Sequence, residues 1–570
     1  MAVASAVSGY VSSLSLKTAV ERAAEKVPQK DWGKVYYHLW VIQGSPSGED
    51  YHYGEHAFHG KYGKSATDQE KLDAIDRYLK KEFEDVPQKN QHLVYHYLWE
   101  VHGKKDQLGY GENAFHNREG SGAELFEKVE AVIKYYSQEG AIFKRPKALP
   151  APDWALDGVI YSVFVRNFSA TGDLNSVTTG LESLKKLGVS VLWLLPLHPI
   201  GIKHRKGTLG SPYSVQDYYH IDPEIGTVKD LQVLVEKAHK LGMKVILDAV
   251  LNHTSWDNEL LIKEPGFFKR NKKGEVISPN PDWSDVAALD YDNPKVHDYV
   301  INMLRYWVET CDVDGFRFDA AFAIQQRSFW EKTSKALIAQ KKDVLLLGEI
   351  DSPEAFTSGI NMDYAWKFEH ALNTVIDDGE HATETLKVAL EKERADFPRG
   401  AAHLRFSDNH DKKRAITIHG EKAVLAASAL VFALPGVPLL YNGMEVGDAT
   451  ESCAAALFEK MPIFWKSEEM RPHFPRFYSG VIALRNAHSA LRSGELHWVA
   501  NTDESSVVSF LRKGEKEEFL VVINFSNKLF DGGVDLDITK YKEVTPEVRH
   551  LKPGEEFTVG AWGFRYFQRS

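Results

Sequence analysis

The rhythm of hydrophobic and polar positions changes twice along this chain. At first, apolar residues recur every three or four positions, at Leu16, Ala19, Val20, Ala23 and Val27, then at Leu72, Ile75, Leu79 and Phe83, and again at Val129, Val132, Ile133 and Tyr136. Such spacing lines one face of a helix. From Val159 onward, short continuous apolar runs alternate with amphipathic stretches such as "SVTTGLESLKKLG" and "VKDLQVLVEKAHKLG", the latter closed by Gly242 as a C-cap. Beyond Asn486, "LHWVANTDESSVVSFLRKGEKEEFLVVINFS" alternates at period two between turn residues, which predicts a small antiparallel β domain, drawn as a β-sandwich over 491–570.

The middle region holds the runs "VIYSVFV", "VSVLWLLP", "MKVILDAV", "VDGFRF", "DVLLLGE", a weaker "NMDYAW", "AHLRFS" and "VPLLYNG". Near-continuous apolar strands joined by helical crossovers belong to a parallel sheet. Eight of them predict an α/β fold, a closed (β/α)8 TIM barrel over 151–490, with a short insertion at about 254–290.

The first 150 residues carry an internal duplication. "VPQKDWGKVYYHLWVIQG" followed by "YGEHAFH" returns as "VPQKNQHLVYHYLWEVHG" followed by "YGENAFH", giving repeats at about 27–83 and 86–138. Large aromatic and polar-aromatic residues are read as alternating in "VYYHLW" and "VYHYLW", so these segments are expected as strands and the "YGExAFH" segments as turns, in an α+β tandem-repeat region. "FKRPKALPAPDW" reads as the linker to the barrel.

Charge narrows the function classes. A net charge of -11 lacks the basic footprint of nucleic-acid binding and favours a neutral substrate. Two cysteines, Cys311 and Cys453, are too few for a disulfide framework. The first residues, "MAVASAVSGYVSSLSLK", have neither a basic n-region nor a solid apolar h-region, and no run reaches membrane-span length. The expectation is a cytoplasmic protein with no membrane partner, a secreted mature form being the alternative.

Barrel active sites sit at the C-terminal ends of the strands, so strand-end charges attract notice. "VILDAVLNH" carries Asp248, "GFRFD" Asp319, "LLLGE" Glu349 and "LRFSDNHD" Asp411, with His253, His410 and Arg317 among them. A lone strand-end Asp is ordinarily a helix cap or an ion-pair partner. Four converging carboxylates instead split in pKa, leaving one protonated and another ionised, as cleavage of a glycosidic bond requires. A two-metal phosphatase would need more His and Asp ligands at metal spacing than the sequence offers, and no HExxH or CxxC pattern occurs.

In order and spacing, "DAVLNH", "GFRFDAA", "GEID" and "FSDNHD" resemble the four signature regions of the α-amylase family of glycoside hydrolases, family 13. "GSPYSVQDYYHIDPEIGT" and "PGVPLLYNGMEVG" extend the resemblance, which runs from about Val159 to the end and leaves the duplicated region unassigned. The resemblance implies catalytic roles for Asp319 as nucleophile, Glu349 as acid and then base, and Asp411 as the third carboxylate. It implies substrate binding by Tyr213, His253, Arg317 and His410, with Arg317 pairing with Asp319 and Tyr213 stacking on the sugar. Asp248 and Asn252 are structural supports, Asn252 being also a candidate calcium ligand. Two departures argue against calcium and for no required cofactor: Phe322 and Ala323 stand where many relatives carry a Lys-His pair, and the 254–290 segment is short for a metal-holding subdomain.

The leading function is therefore retaining hydrolysis of α-1,4-glucosidic bonds in starch-type glucans or maltooligosaccharides. A 4-α-glucanotransferase would use identical residues, and a non-catalytic glucan-binding scaffold is the reading from another class. Two partners are open for the duplicated region, glucan or a second copy of the chain, beside the plainer role of sealing a small core.

Overall fold

The computed structural model describes residues 16–44, 53–60, 65–86, 88–102, 110–117, 122–136, 146–451, 454–551 and 555–569. The first fifteen residues, part of the linker and Cys453 lie outside the described residues. The chain divides into two compact units, Met1–Pro146 and Lys147–Ser570.

The first unit is helical throughout its described residues, which corrects the α+β expectation. Its helices are α1 (Leu16–Glu25), α2 (Trp32–Ile42), α3 (Tyr53–His59), α4 (Asp68–Glu84), α5 (Gln91–Val101), α6 (Tyr110–His116) and α7 (Leu125–Tyr135). The segments expected as strands are α2 and α5, and the expected turns are α3 and α6. Burial explains the difference. In α2, Val35 and Leu39 are buried, and in α5, Val94, Tyr97 and Leu98 are buried, which is helical spacing. Aromatic and β-branched content imitated a strand, and tertiary packing overrode it. The duplication survives as geometry. Tyr36 Oη lies 2.9 Å from His59 Nε2, and Tyr95 Oη 3.1 Å from His116 Nε2. A Cβ on Gly54 would stand 2.1 Å from the Tyr36 carbonyl oxygen, and one on Gly111 1.9 Å from that of Tyr95. Each "YG" therefore marks a close crossing of two helices that only glycine permits.

In the second unit, the strands are β1 (Ile160–Val163), β2 (Val191–Leu194), β3 (Lys244–Val250), β4 (Gly315–Asp319), β5 (Leu345–Gly348), β6 (Met362–Tyr364), β7 (His403–Arg405) and β8 (Val437–Tyr441). They close into an eight-stranded parallel barrel in sequential order, β8 pairing with β1. Alternation within each strand builds two cores. Ile160, Val191, Trp193, Ile246, Leu345, Leu347, Tyr364 and Leu404 fill the barrel, while Tyr161, Leu192, Leu194, Val245 and Leu346 pack outward against the helices. Part of the linker is fixed to this unit, Ala148 N–H donating to Arg399 O at 3.0 Å and Leu149 N–H to Phe356 O at 2.9 Å.

The insertion after β3 is a small antiparallel ribbon, His253–Ser255 against Val286–Ala288. At the C-terminus, β9 (Glu495–Trp498), β10 (Val507–Lys513), β11 (Glu518–Asn524), β12 (Lys542–Glu543) and β13 (Phe564–Arg569) form an antiparallel sheet in the order 9-10-11-13-12. One face, with Val508, Phe510, Phe519, Val521 and Ile523, joins the barrel's outer core. The other, with Val507, Leu511, Leu520 and Val522, is covered by Phe530 and Val559 from a two-stranded ribbon.

Candidate active site

Arg317 organises the mouth of the barrel. As the third residue of β4 it points inward, and it is 1% exposed. Nη1 donates to Asp248 Oδ1 at 3.0 Å, Asp248 Oδ2 at 3.1 Å and Asp319 Oδ1 at 3.0 Å. Nη2 lies 3.0 Å from Glu349 Oε2, and Nε donates to Tyr364 Oη at 3.1 Å. The guanidinium carbon is also 5.2 Å from the Trp193 ring centre. Burial alone would lower the pKa of Arg317, but Asp248, Tyr364 and Glu349 raise it well above the ordinary value, so the cation is fixed.

The carboxylates differ in surroundings. Asp248 also accepts from Trp193 Nε1 at 3.1 Å and Tyr213 Oη at 3.2 Å. Burial pushes its carboxyl up and Arg317 pulls it back; three donors making four hydrogen bonds to its two oxygens are those of an ionised acceptor. Glu349 accepts the backbone N–H of Ala320 at 2.7 Å, again on Oε2. Ala320 holds φ +45°, a left-handed conformation unusual for a residue with a Cβ, beside the Asp319 carboxylate. Burial pushes the Glu349 carboxyl up to about 8 against Arg317, with Asp319 and Asp411 adding to the rise. Asp411, on the loop after β7, is the most open of the set, its side chain 34% exposed.

The rings follow. Tyr213 Oη is 2.6 Å from His410 Nε2, and their rings stack with centres 5.8 Å apart. His410 Nε2 is also 3.2 Å from Asp411 Oδ1. His253, at the base of the insertion, lies with its ring centre 5.7 Å from that of Trp283. Burial lowers the pKa of both histidines, which are therefore neutral donors or acceptors at neutral pH. Asp319, Glu349, Asp411, Tyr213 and His253 line one cavity of about 250 Å³, together with Lys206, Trp283, Asp285, Phe322 and Phe458.

Asn252 stands apart. It is 4% exposed, its carbonyl accepts from Leu289 N–H at 3.1 Å, and its Nδ2 is 3.3 Å from His253 Nδ1. The neighbouring Asp285 is engaged by Lys206 Nζ at 3.2 Å. Among the described residues no group of three or more His, Cys, Asp or Glu is placed to hold a metal ion.

Sequence reasoning missed Trp193, Tyr364, Lys206, Trp283 and Phe458. Trp193 and Tyr364 were legible in part, since each occupies an inward position of a barrel strand near its C-terminal end. Lys206 and Trp283 sit on loops and Phe458 ends the short Ala454–Phe458 helix, where strand periodicity carries no signal.

Comparison with known proteins agrees with this geometry. The family model "Alpha amylase, catalytic domain" matches residues 114–275 and 280–473. "Alpha-amylase 3" of Dictyoglomus thermophilum is 28% identical over 443 residues, covering 65% of this chain and 85% of that protein. The "Intracellular maltogenic amylase" of Bacillus subtilis strain 168 is 26% identical over 490 residues, covering 76% and 81%. Among solved structures, an α-amylase from Lactobacillus plantarum is 28% identical with a TM-score of 0.63, covering 73% of this chain and 100% of that one. A noncanonic maltogenic α-amylase from Thermotoga neapolitana is 29% identical with a TM-score of 0.62, covering 72% and 96%. With its barrel, its arginine-bridged carboxylates and a family model matched over more than half its length, the chain belongs to the α-amylase catalytic-domain family.

Proposed function

We propose that this protein is a retaining α-glycosidase that hydrolyses α-1,4-glucosidic bonds of starch-type glucans or maltooligosaccharides. The observation that carries the reading is the grip of one guanidinium on both Asp319 and Glu349. Carboxylates held by adjacent nitrogens of one Arg stand side by side, as in retaining enzymes, where the separation is roughly 5–5.5 Å and no water fits between nucleophile and sugar. Asp319, paired with Arg317, attacks the anomeric carbon. Both donors to Glu349 use Oε2, so its proton resides on Oε1 and passes to the departing oxygen. The resulting carboxylate then draws a proton from the water that opens the glycosyl-enzyme. Asp411 and His410 hold ring hydroxyls, and Tyr213 and His253 shape the cleft for a neutral ring. Incubation with maltotriose tests the reaction type. Glucose and maltose alone mean hydrolysis, whereas oligomers longer than the substrate mean glucanotransfer.

The names of the relatives support a glucan substrate, and one of them is named as intracellular. Among the described residues no helix is long and apolar enough to cross a membrane, and a cytoplasmic site of action is the reading we adopt. For the N-terminal unit we adopt glucan binding. Tyr37 and Trp40 on α2, with ring centres 6.1 Å apart, occupy the positions that His96 and Trp99, 5.9 Å apart, occupy on α5. Repeated ring pairs suit two weak contacts with one polymer, which avidity strengthens. Affinity electrophoresis in starch gels, comparing the full chain with Tyr37→Ala/Trp99→Ala, tests this; equal retardation rejects it and favours a docking or self-association role.

A further inference from the structure

Over one half of the barrel mouth the connecting segments are bonded to one another. Three loops are stitched together above β1. Arg166, just past β1, donates through Nη1 to Gly210 O at 3.1 Å, on the loop after β2, and to Leu457 O at 3.2 Å, in the short Ala454–Phe458 helix after β8. Leu209 N–H donates to Phe458 O at 3.0 Å, and Thr208 N–H to Glu459 Oε1 at 2.7 Å. The chains touch at Gly207, where φ is +63° and a Cβ would stand 2.5 Å from Phe458 Cβ. From this arch Lys206 reaches the segment after β3, bonding the Asp282 carbonyl and standing 3.2 Å from Asp285. The arch thus spans β8, β1, β2 and β3, which are consecutive neighbours in the barrel.

Asp319 and Glu349 lie across from it, at the ends of β4 and β5. Phe322, which follows Asp319 and whose N–H donates to the Glu349 carbonyl, is 55% exposed, so this side opens to solvent. The chemistry of the bond orients the sugar between the two halves. An acid must face the oxygen it protonates, so the departing part of the chain lies beyond Glu349, past Phe322. In a pyranose ring C4 is opposite C1, so the C4 end of the attacked ring points toward the arch. The cavity that holds Asp319, Glu349, Lys206 and Phe458 measures about 250 Å³, below the roughly 300–1,000 Å³ of sites for drug-sized ligands, which suits a short chain end.

We propose that the arch of Lys206, Gly207 and Phe458 makes this an exo-acting enzyme, which takes the non-reducing end of an α-glucan and releases products of one or two glucosyl residues. This rests on the glycosidase reading above and adds the direction and length of cleavage to it. The test compares 4-nitrophenyl maltoheptaoside with the same compound bearing a 4,6-O-ethylidene group at its non-reducing end, using the full chain and chromatographic analysis of all products. The blocked substrate is expected to be cleaved at least 100-fold more slowly, and the free one to release glucose or maltose, each with the correspondingly shortened nitrophenyl glycoside, and no longer free maltooligosaccharide from the earliest time. Rates within tenfold of each other, or a ladder of early products, would overturn the proposal. Phe458→Ala, which thins the arch, is expected to raise the blocked-to-free rate ratio at least tenfold; an unchanged ratio would overturn the assignment to the arch. Cleavage of neither substrate would refute the glycosidase reading itself, so the two failures are told apart.

Discussion

Ala320 donates its backbone N–H to Glu349 at 2.7 Å from a left-handed conformation, tying the residue after Asp319 to the neighbouring carboxyl. A change that keeps this N–H but relaxes the strain should leave the fold intact. Ala320→Gly is expected to raise stability or leave it unchanged, within about 1 kcal/mol, while Ala320→Pro, which deletes the donor, lowers kcat by roughly 100-fold or more, as loss of one preorganised donor does. Steady-state kinetics beside thermal melts of both variants check this.

The pH profile should report Glu349. The group acts protonated, and its pKa is raised to about 8, so kcat/KM should stay level through neutrality and fall tenfold per unit above that value. Stability follows the same sign. A carboxyl raised on folding favours the fold below its ordinary range, and that contribution is lost as pH rises through about 8. The melting temperature is therefore expected to fall from about pH 5 to pH 8 in the parent and to fall less in Glu349→Gln. An alkaline limb identical in both, measured with an activated aryl glycoside whose leaving group needs no acid, would contradict the assignment.

Chelation should not abolish activity. Asn252 and its neighbours are committed to backbone and ion-pair contacts, so activity after dialysis against EDTA is expected within twofold of the untreated enzyme. Loss reversed by calcium would contradict it.

The C-terminal sheet is anchored by arginine rather than by apolar contact alone. Arg512 is buried and donates to the carbonyls of Ala433, Leu491 and Gly494. These are the last residue of the Glu421–Ala433 helix, a residue within the Ser489–Ser493 helix and the C-cap of that helix. Arg512→Met should strand those carbonyls and lower stability by about 2–4 kcal/mol, read by denaturant unfolding, with KM unchanged because the site lies elsewhere.

What was legible in the sequence depended on which face of an element carried the signal. Barrel strands declared themselves because both faces are buried, and Asp248, Asp319 and Glu349 stood out as charges at the ends of such runs. The weak run around Met362 did become β6, and Tyr364 within it holds Arg317. The helices α2 and α5 were misread because Tyr, His and Trp occupy both their buried and their exposed faces, erasing the polar contrast by which period 3.6 is recognised. Gly54 and Gly111, read as turn residues, are instead helix crossings; Gly54→Ala or Gly111→Ala is expected to unfold part of the N-terminal unit while leaving turnover of short maltooligosaccharides unchanged, as circular dichroism and kinetics would record. The arch was invisible because Lys206 and Phe458 are far apart in sequence and meet only through loop hydrogen bonds.

The central claim is that Asp319 becomes covalently bonded to sugar, and trapping that adduct tests it most directly. A 5-fluoro glucosyl fluoride forms the glycosyl-enzyme quickly and releases it slowly, so peptide mass spectrometry can locate the added mass. The account predicts inactivation with a single glycosyl adduct on the peptide bearing Asp319 and none in Asp319→Asn. An adduct on Glu349 or Asp411, or turnover with no adduct and first release of the β-anomer, would contradict it.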